Sequence, residues 1–143
     1  MLRDAGSFGA APPWLTRQSP EQWLQQGLTE LSRAEARIAA HDRAAALLGL
    51  RRAAGMALNA ALSVRWRAWG RTYVEHLRAL VDDAEVPKSV REAARLLNEV
   101  PVDQQPNVVR LTPPSESARW LEAAKTVMAH AYALVHGSVG RAE

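Results

Sequence analysis

Apolar residues recur every three or four positions through most of this chain, and no segment alternates apolar and polar residues with a period of two. The first spacing places apolar side chains on one face of an α-helix, whereas alternation is typical of a half-buried strand. The chain has 143 residues, of which 48% are hydrophobic, so one domain can bury a core without disulfides or metals. The sequence therefore predicts an all-α, up-and-down helical bundle.

Capping signals divide the chain into helices. Ser19, Pro20 and Gln22 form a capping box with a proline at the first helical position, which predicts a helix from Pro20 to about Ala40. Asp42 is a suitable N-cap for a second helix, which we expect to end near Trp66 and Trp69, with Gly70 as its stop signal. Gly49 and Gly55 lie inside this second helix, where they predict close approach by a neighbouring element.

The second half of the chain contains three further helices. Thr72 and Glu75 form another capping box, which opens a short helix, and Pro87 begins the next one. Ser115 then caps a long final helix that we expect Gly137 to end. The sequence thus predicts about five helices in one bundle.

We predict a flexible N-terminal tail over 1–18, the bundle over 19–137 and a frayed C-terminal tail over 138–143. The segment 101–114 contains four prolines, which predicts a long loop of functional or mobile character. No apolar run approaches the roughly 18 residues of a membrane span, and the first residues lack the apolar core of a signal peptide. We therefore expect a cytoplasmic protein with no membrane contact.

Most familiar kinds of catalytic site are missing from the sequence. There is no cysteine, no glycine-rich phosphate loop and no nucleophile elbow. The four histidines, His41, His76, His130 and His136, include no pair at the spacing of four that would place two ligands on one helix face. We predict neither a metal nor a cofactor. His130 and His136 fall near the predicted end of the last helix, where a protonated imidazole suits the helix dipole.

The region from Arg51 to Arg78 contains six arginines and a single acid, Glu75, with Trp66 and Trp69 among them. Arginine next to an aromatic ring can bind a phosphate and stack a base, and the same pair is enriched in protein interfaces. A solvated face with tryptophans at the edge of the core is the third interpretation. The predicted nucleotide- or partner-binding residues are Arg51, Arg52, Arg65, Trp66, Arg67, Trp69 and Arg110.

The order of these segments resembles the HEPN superfamily from about Pro20 to Val135. The resemblance lies in the early aromatic Trp23, the small-residue-rich stretch 44–62, the His76-Leu77-x-x-Leu80 pattern, Val86-Pro87 and the alanine-rich final helix. It implies a helical bundle that acts as a ribonuclease, as a toxin paired with a small nucleotidyltransferase, or as a non-catalytic module that binds nucleotides or assists partners.

HEPN ribonucleases use an arginine and a histidine separated by four to six residues, placed across a dimer. Arg71 and His76 have this spacing, and the resemblance implies that they could be catalytic. Histidine transfers protons near neutral pH, and arginine stabilises the charge of a phosphoryl transition state. In the family the motif begins the last long helix, whereas here it begins the third, and Thr72 follows the arginine.

Three functional hypotheses follow. The first is a non-catalytic, homodimeric HEPN-like bundle that binds a partner protein or a nucleotide through the arginine- and tryptophan-rich segment. The second is a metal-independent HEPN ribonuclease or toxin of a toxin–antitoxin pair, with Arg71 and His76 at the dimer seam, RNA as substrate and a nucleotidyltransferase-type protein as partner. The third is a structural helical adaptor.

Overall fold

Residues 11–99 and 114–140 are described by the computed structural model, and this part of the chain is helical with no strand. The prediction of an all-α bundle is confirmed. The helices are α1 (Pro13–Thr16), α2 (Pro20–Ala39), α3 (Arg43–Val64), α4 (Tyr73–Asp82), α5 (Lys88–Glu99) and α6 (Pro114–Gly140). None of the helices described is both long and apolar enough to cross a membrane.

Both predicted capping boxes are formed. Ser19 Oγ accepts from the Gln22 amide at 3.1 Å, and the Ser19 amide donates to Gln22 Oε1 at 2.8 Å. At the start of α4, Thr72 and Glu75 make the same reciprocal pair at 3.1 and 3.0 Å. Asp42 caps α3 by accepting from the amide of the third helical residue. These bonds satisfy amides that have no partner inside the helix, so they fix where each helix begins.

Helix α3 lies at the centre of the bundle and packs against each of the other five helices. Its buried residues are mostly alanine, glycine and leucine, from Ala46 to Leu62. Small side chains allow neighbouring helix axes to approach closely. A Cβ atom added at Gly49 would lie 3.2 Å from the Cβ of Ala34 on α2. The close approach predicted for this glycine is therefore confirmed.

The end of α3 differs from the sequence prediction. The helix stops at Val64, before both tryptophans, and residues 65–72 form a non-helical connection to α4. Gly70 does not end α3 but lies just before α4 with a φ of +91°, a conformation that favours glycine. Both tryptophans of this connection pack partly buried against the core, and this packing favours the extended path over another helical turn.

The last helix is also longer than the sequence predicts. It continues through Gly137 to Gly140, so Gly137 lies inside α6 and does not stop it. Pro114, expected in the proline-rich loop, is instead the first residue of α6, where its missing amide hydrogen has no cost. The rest of the predicted loop, residues 101–113, lies outside the described residues.

Residues 11–18 pack against the bundle, although the sequence predicts a flexible tail there. Leu15 on α1 is fully buried, and its carbonyl accepts a 2.8 Å hydrogen bond from Trp23 Nε1. A buried indole N–H needs an acceptor, and the short α1 supplies one. Residues 11–18 thus belong to the bundle, and residues 1–10 lie outside the described part.

We predict that Gly55→Ala destabilises the protein by about 1–3 kcal/mol, the usual cost of overpacking a core. An added Cβ would lie 2.8 Å from the Cβ of Tyr73, so the start of α4 would have to move. This cost exceeds the gain of about 1 kcal/mol that alanine brings to a helix interior. The measurement is the free energy of unfolding in urea.

Gly137→Ala is the matched control, because nothing lies within 4 Å of a Cβ added there. This variant should be as stable as the wild type or more stable, since only the helix propensity changes. Equal stability of the two variants would contradict the proposed contact between Gly55 and Tyr73.

Candidate binding site

A cleft of about 360 Å³ opens where α3 and α4 end. Its exposed apolar surface comes from Val64 on α3 and Leu134 on α6, and the buried Leu62, Leu80 and Val86 also line it. Its polar lining comes from three parts of the chain: the α3–α4 connection, the α4–α5 connection and α6. These polar and aromatic lining residues are Arg65, Arg67, Trp69, Asp83, Glu85 and His130.

The α3–α4 connection is held to the bundle by its aromatic rings. Trp66 and Trp69 are partly buried against the core, whereas Arg65 and Arg67 are exposed. The Trp69 amide donates to the Arg67 carbonyl at 2.9 Å, which forms a tight turn within the connection. The apolar rings thus anchor this segment, and the two guanidinium groups at the cleft remain open to solvent.

Neither Arg65 nor Arg67 has a side-chain hydrogen bond or an ion pair with any residue that the structure describes. The acids of the cleft come from another connection: Asp83 Oδ1 accepts from the Glu85 amide at 2.9 Å, which fixes the α4–α5 turn. The cleft therefore presents guanidinium groups from one connection, which no described residue pairs with, and carboxylates from the other.

His130 lines the cleft from α6. Burial lowers the pKa of this histidine, and the nearby carboxylate of Asp83 partly offsets that effect by raising it. The helix continues ten residues beyond His130, to Gly140, so the predicted role of a protonated histidine at a helix end does not apply. The neutral imidazole instead offers one donor and one acceptor to the cleft. No local feature of the sequence indicates this role for His130, because only the packing of α6 brings residue 130 to the connections.

Two of the predicted binding arginines lie elsewhere in the fold. Arg51 donates from Nε to the carbonyl of Leu97 and from Nη2 to that of Asn98 at 3.4 Å, so it satisfies the last turn of α5. Burial lowers the pKa of Arg51. Arg52 forms an ion pair with Glu30 at 3.3 Å. Both guanidinium groups are thus engaged with the bundle itself.

The structure brings together three members of the predicted binding set at the cleft: Arg65, Arg67 and Trp69. Trp66 packs against the core and is not among the lining residues. Arg110 lies outside the described residues. Within the part of the chain described, no group of three or more His, Asp or Glu side chains is arranged to hold a metal ion.

Arg71 and His76, the predicted catalytic pair, are not among the residues that line the cleft. The guanidinium of Arg71 lies over the ring of Trp14, 5.2 Å from its centroid, in a cation–π contact that joins α1 to the start of α4. The Arg71 amide donates to Glu75 Oε1 at 2.8 Å. Hydrogen bonds from the amides of Thr72 and Arg71 lower the pKa of Glu75, which keeps this capping carboxylate ionised.

His76 is fully buried, with Trp69 and Tyr73 against its ring. Its Nε2 lies 3.1 Å from the Gly70 carbonyl. Because a carbonyl only accepts, Nε2 must carry the hydrogen, and Nδ1 is then a bare acceptor. Nδ1 is buried and has no partner among the described residues. His76 thus ties α4 to the connection before it, and the hypothesis of a ribonuclease that uses Arg71 and His76 stays a prediction.

Comparison with known proteins gives a likeness of fold. No family model matches the sequence, and no curated protein matches it. The chain is similar to the crystal structure of TT1696 from Thermus thermophilus, with 26% sequence identity and a TM-score of 0.62. The similar region covers 80% of this chain and 97% of that one. This likeness supports the helical architecture and leaves the function to the site itself.

The burial of His76 generates a prediction about pH. Burial lowers the pKa of His76 in the folded state, whereas the imidazole in the unfolded chain has a pKa of about 6.5. Below that pH the unfolded chain binds a proton that the folded chain does not, so the free energy of unfolding falls as the pH drops. His76→Gln, which keeps an amide donor for Gly70, should lose less stability between pH 7 and pH 5 than the wild type.

Urea denaturation at several pH values measures this difference. The reference is pH 8, where the imidazole is neutral in both states and His76 contributes nothing to the pH dependence. An equal pH dependence in the wild type and in His76→Gln would contradict a buried, neutral His76.

Proposed function

We propose that this protein is a non-catalytic, HEPN-like helical bundle that binds a nucleotide in the cleft at the ends of α3 and α4. The observation that carries the proposal is that Arg65 and Arg67, whose guanidinium groups have no partner among the described residues, lie beside the half-buried ring of Trp69. The HEPN resemblance supports it, because nucleotide-binding modules are one class within that superfamily.

Arg65 and Arg67 are suited to the phosphate. A guanidinium group presents a planar set of donors that matches two phosphate oxygens at once. Both groups belong to one short connection and both are exposed, so a phosphate can reach them without breaking an ion pair to any residue that the structure describes. Arg51 and Arg52, by contrast, would have to give up their existing partners on α5 and α2 to bind a phosphate.

The apolar part of the cleft is suited to the base. The ring of Trp69 and the exposed side chains of Val64 and Leu134 offer a flat or apolar surface. Stacking of a base on an aromatic ring contributes about 1–3 kcal/mol. The cleft volume of about 360 Å³ lies in the range of roughly 300–1,000 Å³ that is usual for small-molecule sites.

The acids set the orientation of the ligand. Asp83 and Glu85 accept hydrogen bonds, so they favour ribose hydroxyls or an exocyclic amino group and repel a phosphate. The C-terminal end of α4, next to Asp83, carries the negative pole of that helix dipole and adds to this repulsion, whereas at the C-terminal end of α3 the guanidinium groups of Arg65 and Arg67 offset it. The phosphate therefore belongs at the α3–α4 connection, with the base and ribose towards α6 and the α4–α5 connection.

We predict that AMP binds more tightly than adenosine or inorganic phosphate, because only AMP engages both halves of the cleft. Arg65→Ala, Arg67→Ala and Trp69→Ala should each weaken AMP binding roughly 10- to 100-fold, as expected for a charged hydrogen bond or a stacking contact worth about 1.5–3 kcal/mol. Isothermal titration calorimetry measures the affinities, and the ligand-induced rise in Tm is an independent readout.

Arg37→Ala is the matched control, since Arg37 is an exposed arginine in the last turn of α2 and does not line the cleft. It removes one positive charge and should leave AMP binding unchanged. An equal loss in this variant would mean that net charge alone attracts the nucleotide. Absence of AMP binding to the wild type would contradict the proposal and leave the protein-partner hypothesis as the alternative.

A further inference from the structure

A second concave surface, which we call the α2–α6 groove, lies between those two helices and has Ala57 of α3 in its lining. It has a volume of about 530 Å³ and is predominantly apolar. Leu28 on α2 and Tyr132 on α6 line it with 53% and 56% of their surfaces exposed. Large apolar side chains that share one groove and remain this exposed are typical of a contact surface.

The sequence around the groove is unusually free of charge. Residues 22–29 of α2 and 126–140 of α6 contain no Asp, Glu, Lys or Arg, although such residues make up 23% of the chain. A helix face that only meets water usually carries charges, whereas the centre of a protein interface is depleted of them. The two uncharged segments lie side by side in the fold, since both contribute to this groove.

The charges that do line the groove lie towards its two ends. Helices α2 and α6 are antiparallel: Glu21 Oε2 lies 3.5 Å from His136 Nε2, and Glu35 Oε2 lies 3.9 Å from Lys125 Nζ. Glu21 and Lys125 are the two charged lining residues. A two-fold axis that lies in the contact plane, perpendicular to the line from Glu21 to Lys125, brings Glu21 of one copy to Lys125 of the other.

We propose that the α2–α6 groove is the contact surface of a homodimer, formed by two copies of this chain around a two-fold axis. Such an axis pairs each surface with itself, so an uncharged centre meets an uncharged centre and the terminal charges meet with opposite sign. Leu28 and Tyr132 supply the apolar contacts, and the four helices α2 and α6 of both copies form a shared layer.

The size of the surface sets the strength of the dimer. The lining residues of α2 run from Glu21 to Leu31, which is roughly 16 Å of helix, and two helices side by side are roughly 20 Å wide. The area that such a patch buries is at the low end of the range for specific interfaces. The dimer is therefore weak and depends on protein concentration.

The groove and the cleft lie on different flanks of α6. Met128 and Tyr132 line the groove, whereas His130 and Leu134 line the cleft, and these pairs project to opposite sides of a helix with 3.6 residues per turn. Dimerisation thus leaves the cleft open. The proposal does not depend on nucleotide binding.

We predict that the wild type shifts from monomer to dimer between micromolar and submillimolar concentration in sedimentation velocity experiments. Leu28→Glu and Tyr132→Glu should each raise the dimer Kd about tenfold or more, because each places an unpaired charge at the centre of the contact. Both side chains are exposed in the monomer, so the fold should persist, as circular dichroism would verify.

Leu48→Glu is the matched control: Leu48 is 48% exposed in the second turn of α3 and does not line the groove. Its dimer Kd should equal that of the wild type. A wild type that stays monomeric over the whole range would overturn the proposal. A dimer that Leu28→Glu and Tyr132→Glu leave intact would overturn it as well.

The two-fold geometry has its own test by charge exchange. Glu21→Lys or Lys125→Glu alone should weaken the dimer roughly two- to fivefold, because rim ion pairs contribute modestly. The double variant, with both charges exchanged, should restore the wild-type Kd. Lys125 also contacts Glu35 and Glu122 within its own chain, so the Tm of each variant is measured alongside. Failure of the double variant to recover would rule out this pairing.

Discussion

The close packing of α3 is the constraint on which the rest of this structure depends. Five helices pack around one, and they can do so because α3 presents alanine and glycine where bulkier side chains would hold them apart. The start of α4 shows this dependence most directly, since Tyr73 occupies the space that Gly55 leaves free. With the small residues in place, leucines such as Leu50 and Leu58 fill the interior completely.

The position of the candidate site follows from how the chain leaves α3. Because α3 stops at Val64, the next residues must return to the level of Gly55 before α4 can begin. Partly buried tryptophan rings and the hydrogen bond between His76 and the Gly70 carbonyl hold this return path. Arg65 and Arg67 on this path are exposed and line the cleft. The aromatic residues of the connection thus pack against the core, and its Arg65 and Arg67 line the proposed site.

Local signals in the sequence determined the helices. The spacing of apolar residues and the side chains of Ser19, Asp42 and Thr72 act within a few positions along the chain, so they predict the all-α class and most helix starts. Helix ends were predicted less well. Nothing local distinguishes the stop at Val64 from a helix that continues to Trp66, because burial of the tryptophan rings depends on helices far away in sequence.

The candidate site was predicted only in part, for the same reason. The sequence identified arginine and tryptophan as a binding combination, and Arg65, Arg67 and Trp69 do meet at one cleft. It could not separate them from Arg51 and Arg52, whose partners on α5 and α2 are set by packing. The sequence also could not show that His130 lies at the cleft, or that the uncharged segments 22–29 and 126–140 line one groove. The sequence by itself determined the elements and the chemical groups available, and the tertiary structure decided which groups meet, because contacts between distant segments have no local signal.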